Sequence, residues 1–154
     1  MNKNSNAYII IYASVMIVIV AILLSVAALA LKDRQQANIA VEKQSAILSA
    51  IGLGGDADKA KDKTQYIKDE YAKHIVDSYV VNGNGNRVEG DAFELLDGLK
   101  AEFAKTDKEA MRLPVFQAKL DNGTQLNILA VYGTGLWGPI WGYLALESDW
   151  DTIY

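Results

Sequence analysis

Apolar positions fall along this chain in several distinct patterns, each predicting a different element. From Ala7 to Leu31 the sequence AYIIIYASVMIVIVAILLSVAALAL runs for 25 residues without a charge. A helix of that length reaches about 37 Å, enough to cross a ~30 Å hydrocarbon core with some tilt. Tyr8 and Tyr12 sit near its start, where an aromatic belt places them, and Lys32 and Arg34 close its other end. The pattern predicts a retained transmembrane helix. A cleaved signal peptide is the competing reading, because Ala28-Leu-Ala30 resembles a small-residue cleavage site. However, the run exceeds the ~7–15 apolar residues of a signal core, and a single lysine precedes it.

Beyond the anchor the period changes. Between Lys32 and Leu53, Ala40, Ile47, Leu48 and Ile51 cluster at helical spacing among Ala, Glu, Lys and Gln, and Gly52, Gly54 and Gly55 stop the helix. We expect Ile47, Leu48 and Ile51 to dock on the following domain, with a partner surface as the alternative. Asp56 to Lys63 (DADKAKDK) has nothing to bury and reads as a solvated linker or helix start. Tyr66, Ile67, Tyr71, Ile75 and Val76 then recur at three-to-four spacing and predict an amphipathic helix over 64–76. A further helix is expected over 91–105, with Phe93, Leu96, Leu99 and Phe103 on one face and Asp91 at its start.

Period-two alternation marks the strands. Tyr79-Val-Val81 reads as a short one, followed by Asn82-Gly-Asn-Gly-Asn86, whose residues tolerate the positive φ of a hairpin turn. That turn only weakly resembles a calcium loop, since the carboxylates and bidentate Glu of such a loop are missing. Over 114–131, Phe116, Ala118 and Leu120 alternate with Gln117 and Lys119. After the turn Asp121-Asn-Gly123, Leu126, Ile128 and Ala130 alternate with Gln125 and Asn127. The two runs predict a hairpin with one buried face. Ile140 to Leu146 reads as a strand buried on both faces, and Thr152-Ile-Tyr154 begins another strand-like run. Together these elements predict an α+β domain with a mainly antiparallel sheet and flanking helices behind one transmembrane helix.

Charge narrows the function classes. The chain carries 15 basic and 19 acidic residues, and because every acidic one and all basic ones but Lys3 follow Leu31, that part has a net charge of about −5. No basic face is evident, which argues against nucleic acid as a partner. Flanking charges leave topology nearly tied, with Lys3 and the amino terminus on one side and Lys32 and Arg34 on the other. The absence of cysteine removes disulfides, cysteine-ligated iron–sulfur clusters and c-type haem attachment. His74, the single histidine, builds no metal site alone and is expected at the surface or capping its helix. No GxSxG, HExxH or phosphate loop occurs, and Gly133-Thr-Gly135 lacks the spacing of a dinucleotide fingerprint.

One stretch concentrates the remaining chemistry. Tyr132-Gly-Thr-Gly-Leu-Trp-Gly-Pro-Ile-Trp-Gly-Tyr-Leu-Ala-Leu146 packs glycines, a proline, tryptophans and tyrosines together. Glycines permit tight turns and close approach, and tryptophan offers a large apolar face with one N–H donor. Such a stretch is either a structural corner of the sheet or one wall of a site for a planar ligand.

The same stretch from Gly133 to Leu146, with Asn4-Ser-Asn-Ala-Tyr8, Tyr12-Ala-Ser14 and the apolar anchor, resembles the C subunit of the sodium-translocating NADH:quinone reductase, particularly its Bacteroidetes-type forms. The resemblance implies one transmembrane helix and an extracytoplasmic domain carrying FMN linked through its phosphate to a threonine of a Ser-Gly-Ala-Thr type motif. It implies electron transfer among the other subunits of the complex during sodium export across the bacterial inner membrane, with a periplasmic soluble domain. NADH and quinone are handled by other subunits. The lipid membrane and those subunits are the expected partners.

No Ser-Gly-Ala-Thr motif occurs in these 154 residues. The family position of that motif lies beyond Tyr154, so the sequence is expected to be truncated before it, and neither Thr124 nor Thr134 replaces it. Gly135, Leu136, Trp137 and Gly138 are the candidate flavin wall; Trp141 and Tyr143 are expected to pack. The expected organisation is a polar stub (1–6), the transmembrane helix (7–31), a juxtamembrane helix and charged linker (32–63), and the N-terminal part of an FMN-binding domain (64–154). Two other functions remain open: the G subunit of the Rnf ferredoxin:NAD complex, and a membrane-tethered binding or assembly module without cofactor.

Overall fold

The computed structural model describes residues 6–154, so Lys3 and most of the polar stub lie outside the described residues. The chain divides into two compact units, 1–40 and 41–154. Helix α1 (Asn6–Ala50) runs through 45 residues, and its apolar part has a mean hydropathy of 3.0 with none of it buried. That part is long and apolar enough to cross a membrane. The helix ends in a glycine-capped motif. Leu53 N–H donates to Leu48 O (3.0 Å) and Gly52 N–H to Ser49 O (3.1 Å), with Gly52 at φ +73°. A side chain at Gly52 would strain this left-handed turn.

Within unit 41–154 the last turns of α1 supply core. Ile47 and Leu48 are fully buried and Ile51 nearly so, as the helical spacing leads one to expect. The following segment is less solvated than its charges suggest: a 3₁₀ turn over Ala57–Lys59 buries Ala57. Helix α2 (Lys63–His74) starts where the Asp62 carboxylate accepts Gln65 N–H (3.0 Å). It stops two residues short of the periodicity, because Ile75 and Val76 already belong to strand β1 (Ile75–Asn82).

A short strand β2 (Arg87–Val88) follows the Asn82–Asn86 turn, in which Asn82 Oδ1 accepts the N–H groups of Asn84 and Asn86. The expected helix over 91–105 is broken into α3 (Ala92–Leu95), a 3₁₀ turn (Leu96–Gly98) and α4 (Leu99–Phe103). Asp91 caps it by accepting Phe93 N–H and Glu94 N–H at 2.7 and 2.9 Å. Ala92, Leu96 and Leu99 face the core, and so does a charged residue, Glu102.

Strands β3 (Arg112–Lys119), β4 (Gln125–Gly135) and β5 (Gly138–Leu146) complete an antiparallel sheet of order β2-β1-β3-β4-β5. The β3–β4 hairpin has the expected register, with Phe116 opposite Ile128 and Ala118 opposite Leu126, and all four side chains buried. Its turn uses Gly123 at φ +86°. The opposite face is not simply polar, because Val115 and Asn127 are buried too. The Asn127 amide donates to Glu147 O (3.2 Å) and accepts from Gln117 Nε2 (3.2 Å), so the chain after β5 folds back over it.

Strand β5 corrects the expectation of a strand buried on both faces. Only Ala145 and Leu146 are buried, while Ile140 is 62% and Trp141 70% exposed. The reason is strand length. Pairing of β4 with β3 ends at Leu129↔Val115, whereas pairing of β4 with β5 continues to Gly135↔Gly138. The far half of β4 and the near half of β5 therefore form a two-stranded arm.

Glu102 ties α4 to β3. Its Oε2 accepts the Arg112 N–H (2.7 Å) and lies 2.6 Å from Lys105 Nζ, with Arg112 Nη2 3.5 Å from Oε1. Burial pushes this carboxyl up, but the Lys105 and Arg112 hydrogen bonds and charges outweigh it and hold it below the usual range. Its stabilising contribution is therefore present above the unfolded value of about 4.3 and is lost as pH falls through the folded value.

Ile47→Ala is expected to lower the unfolding free energy of unit 41–154 by about 2–5 kcal/mol, read by urea denaturation of the detergent-solubilised chain. Glu102→Gln is expected to cost about 1–3 kcal/mol at pH 7. Because the depressed carboxyl titrates in the acid range, that difference narrows below about pH 4, and a pH series of urea midpoints reads it.

Candidate functional site

The candidate site is the β4–β5 arm, and its construction follows from composition. From Asn122 to Leu146 the chain contains no charged residue. Gly133 pairs with Ile140 and Tyr132 with Trp141, and Leu136-Trp137 form the two-residue connection between Gly135 and Gly138. Gly138 sits at φ +142°, a region side chains avoid. A Cβ at Gly135 would fall 2.5 Å from Ile140 Cδ1, so a side chain there pushes Ile140 aside. The glycine of this turn accommodates Ile140.

The four wall candidates are brought together, but at a convex tip. Leu136 is 91% and Trp137 97% exposed, so neither side chain excludes water from anything within the described residues. Trp141, expected to pack, is largely exposed, while Tyr143 is half-buried against the core. The base of the arm is anchored by the Phe103 and Tyr132 rings, 6.0 Å apart. Burial, then the charge of Asp97, pushes Tyr143 up to about 12; burial, then Tyr143 and Asp91, does the same to Tyr71. Both phenols are neutral packing groups at physiological pH.

Two concavities lie elsewhere. A cavity of about 350 Å³ is lined by Val80, Gly90, Asp91, Glu94, Gly98 and Glu102. A smaller one of about 160 Å³ lies among Gln117, Gln125, Asn127, Ser148 and Trp150. Gly135, Leu136, Trp137 and Gly138 line neither. An isoalloxazine needs a facing wall that these residues do not supply, so by themselves they do not fit FMN. Thr134 is exposed on the arm and Thr124 lies in the β3–β4 turn. Among the described residues no group of three His, Asp or Glu side chains could hold a metal.

Two placements escape the sequence reading. His74 is buried, not at the surface: Nδ1 lies 3.0 Å from Lys119 O and Nε2 3.4 Å from the Glu70 carboxylate. It joins the end of α2 to the end of β3, where strand pairing of Ile75 with Ala118 draws it inward. Trp150 adopts φ +63°, the non-glycine residue with positive φ among those described. Asp149 builds that turn by accepting Asp151 N–H, Thr152 N–H and Thr152 Oγ1–H, and these bonds hold its carboxyl at about 2. The Asp149-x-x-Thr152 spacing is the signal that could have found it.

Because their side chains stand in solvent, Leu136→Ala and Trp137→Ala are each expected to change stability by less than about 0.5 kcal/mol. Thermal unfolding checks this, and a larger loss would show that the tip packs on something.

No family model matches the sequence. Among curated proteins the chain is similar to the C subunit of the Na⁺-translocating NADH-quinone reductase. It is 30% identical to that of Vibrio vulnificus over 149 residues, covering 86% of this chain and 54% of the relative. It is 26% identical to that of Pseudomonas aeruginosa over 162 residues, covering 99% of this chain and 62% of the relative. The crystal structure of the same protein from Parabacteroides distasonis superposes with a TM-score of 0.62 at 32% identity, over 80% of this chain and 55% of that one. The chain thus spans little more than half the length of the relatives it matches.

Proposed function

We propose that this chain acts as the C-type, electron-relaying subunit of a sodium-pumping NADH:quinone reductase at a bacterial inner membrane. In this reading residues 7–31 hold it in the bilayer and the folded unit faces the periplasm. Its similarity to the C subunit, running over 86% or more of its length in several curated relatives, carries the reading. The charge-free, unburied run of α1 supports it, since a membrane complex needs such a segment. FMN, when bound, supplies one-electron transfer. Gly135, Leu136, Trp137 and Gly138 would contribute one side of its contact only where a second surface faces them. The uncharged arm and the exposed Trp137 ring suit such a half-contact, because an apolar face beside a flavin excludes water.

A tethered module without cofactor is the reading favoured by one observation, the convex and exposed tip. The two separate in one experiment. The tagged chain is expressed in a bacterium whose own C subunit is deleted, and solubilised membranes are purified on the tag. Recovery together with the other reductase subunits is expected; recovery of the tagged chain alone overturns the proposal. With the flavin transferase present, the 154-residue chain is expected to show no in-gel flavin fluorescence, because no Ser-Gly-Ala-Thr segment occurs in it. A fluorescent band would locate an attachment residue within these positions.

A further inference from the structure

His74 is the single histidine of the chain and it is buried. It ends α2, one residue before β1 begins, and lies just past the last pair of β1 with β3, Ile75↔Ala118. The ladder is irregular there, with a register shift between Ile75 and Asp77. The ring spans this junction. Nδ1 lies 3.0 Å from Lys119 O, at the end of β3, and Nε2 lies 3.4 Å from Glu70 Oε2, one turn back on α2.

Both neighbours are acceptors. A main-chain carbonyl has no hydrogen to give, so Nδ1 carries the hydrogen of that contact. In a neutral ring Nε2 then holds a bare lone pair that faces the Glu70 carboxylate, which also only accepts. A buried ring in that state has one nitrogen without a donor and set against a negative charge, which is unfavourable. A second proton removes the conflict, because Nε2–H then meets Glu70 at an ion-pair distance. The carboxyl is the poorer holder of that proton, since an ordinary Glu takes one near about pH 4.3 and an ordinary His near about pH 6.5. The Glu70 side chain is also 23% exposed, so water solvates its charge.

The other charged groups around the ring act in the same sense. On α2, Lys73 is adjacent but committed to Asp121 Oδ1 at 2.8 Å. In the turn after β3, the Lys73 hydrogen bond, and after it the charges of Lys73 and His74, outweigh burial and hold the Asp121 carboxyl below its usual range. Strand β3 contributes the Lys119 carbonyl, while Lys119 itself is exposed. Two carboxylates against one ammonium leave the ring in net negative surroundings.

We propose that His74 is a proton-dependent clasp. As an imidazolium it ties the end of α2 to the end of β3 through Glu70 and Lys119 O, and on losing the Nε2 proton it loosens that tie. The unfolded chain lacks these carboxylates beside the ring and releases the proton more readily, so the stability contributed by the clasp falls as pH rises. Glu102 works in the opposite sense, its contribution being lost as pH falls. The two buried groups thus limit unit 41–154 from the alkaline and the acid side. The clasp belongs to the fold and does not rest on the proposed function.

The test uses the full chain in detergent micelles and two readouts. Nitrogen-15 NMR of the imidazole distinguishes a doubly protonated ring from either neutral tautomer. At about pH 7, where an ordinary histidine is mostly neutral, both His74 nitrogens are expected to be protonated. Urea midpoints are then compared between about pH 5.5 and about pH 8.5, a window in which histidine is the one side chain with its ordinary value. Across it the folding equilibrium constant of unit 41–154 is expected to fall at least about fivefold. In Glu70→Gln the fall is expected to be less than about twofold, because the new amide donates to a neutral Nε2 and the ring no longer needs its second proton. The terminal amine also titrates in this window, but it is common to both chains, so the difference between them belongs to the clasp. A neutral ring at about pH 7 overturns the proposal. So does equal pH dependence in the two chains, which would make His74 a packing group. A midpoint that rises with pH overturns it as well, and would mark a ring that the fold keeps uncharged.

Discussion

Strand β4 pairs on both sides at once, but over different lengths, and that inequality organises the folded unit. From Asn127 to Leu129 it lies between β3 and β5, and from Ala130 onward its pairing continues with β5 alone. Where it pairs with β3, Leu126 and Ile128 are buried opposite Ala118 and Phe116. From Val131 onward, side chains on both faces meet solvent. The same strand thus builds the centre of the core and, a few residues later, an uncharged projecting arm.

The core has an unusual source on its helical side. Besides its own short helices, it takes the end of α1, whose Ile47, Leu48 and Ile51 pack in one cluster with Ile67, Phe116 and Ile128. The glycine cap at Gly52 fixes where this helix must stop, and the turn after it brings Ala57 and Gly54 over the same side chains. Lys43 extends the junction by reaching the Asp97 carboxylate at 2.7 Å while lying over the Phe93 ring. Such an exposed ion pair contributes little by itself; the buried isoleucines and leucine hold the helix end in place. Glu102 is different, because it is buried against the Arg112 N–H and the Lys105 and Arg112 charges, and removing its own charge weakens those contacts.

A site is a matter of facing surfaces. The arm offers apolar rings and tight glycines, which suit contact with a flat ligand, but a convex tip cannot enclose one.

Periodicity along the chain determined the elements whose signals are local. The charge-free run from Ala7 to Leu31, the burial of Ile47, Leu48 and Ile51, and the Phe116/Ile128 hairpin register all follow from spacing, because a helix or hairpin face is fixed by residues close in sequence. Glycine and tryptophan content likewise singled out Gly135 to Gly138 as a special turn. Tertiary structure decided the rest. It buried His74, because strand pairing beyond α2 pulls its ring toward Lys119, and it broke the helix after Asp91 to fit Leu96 and Leu99 onto the sheet. It also left Ile140 and Trp141 exposed. An apolar strand reads the same whether or not another strand lies beside it. Burial belongs to the neighbours, and β3 ends its pairing too early to provide one.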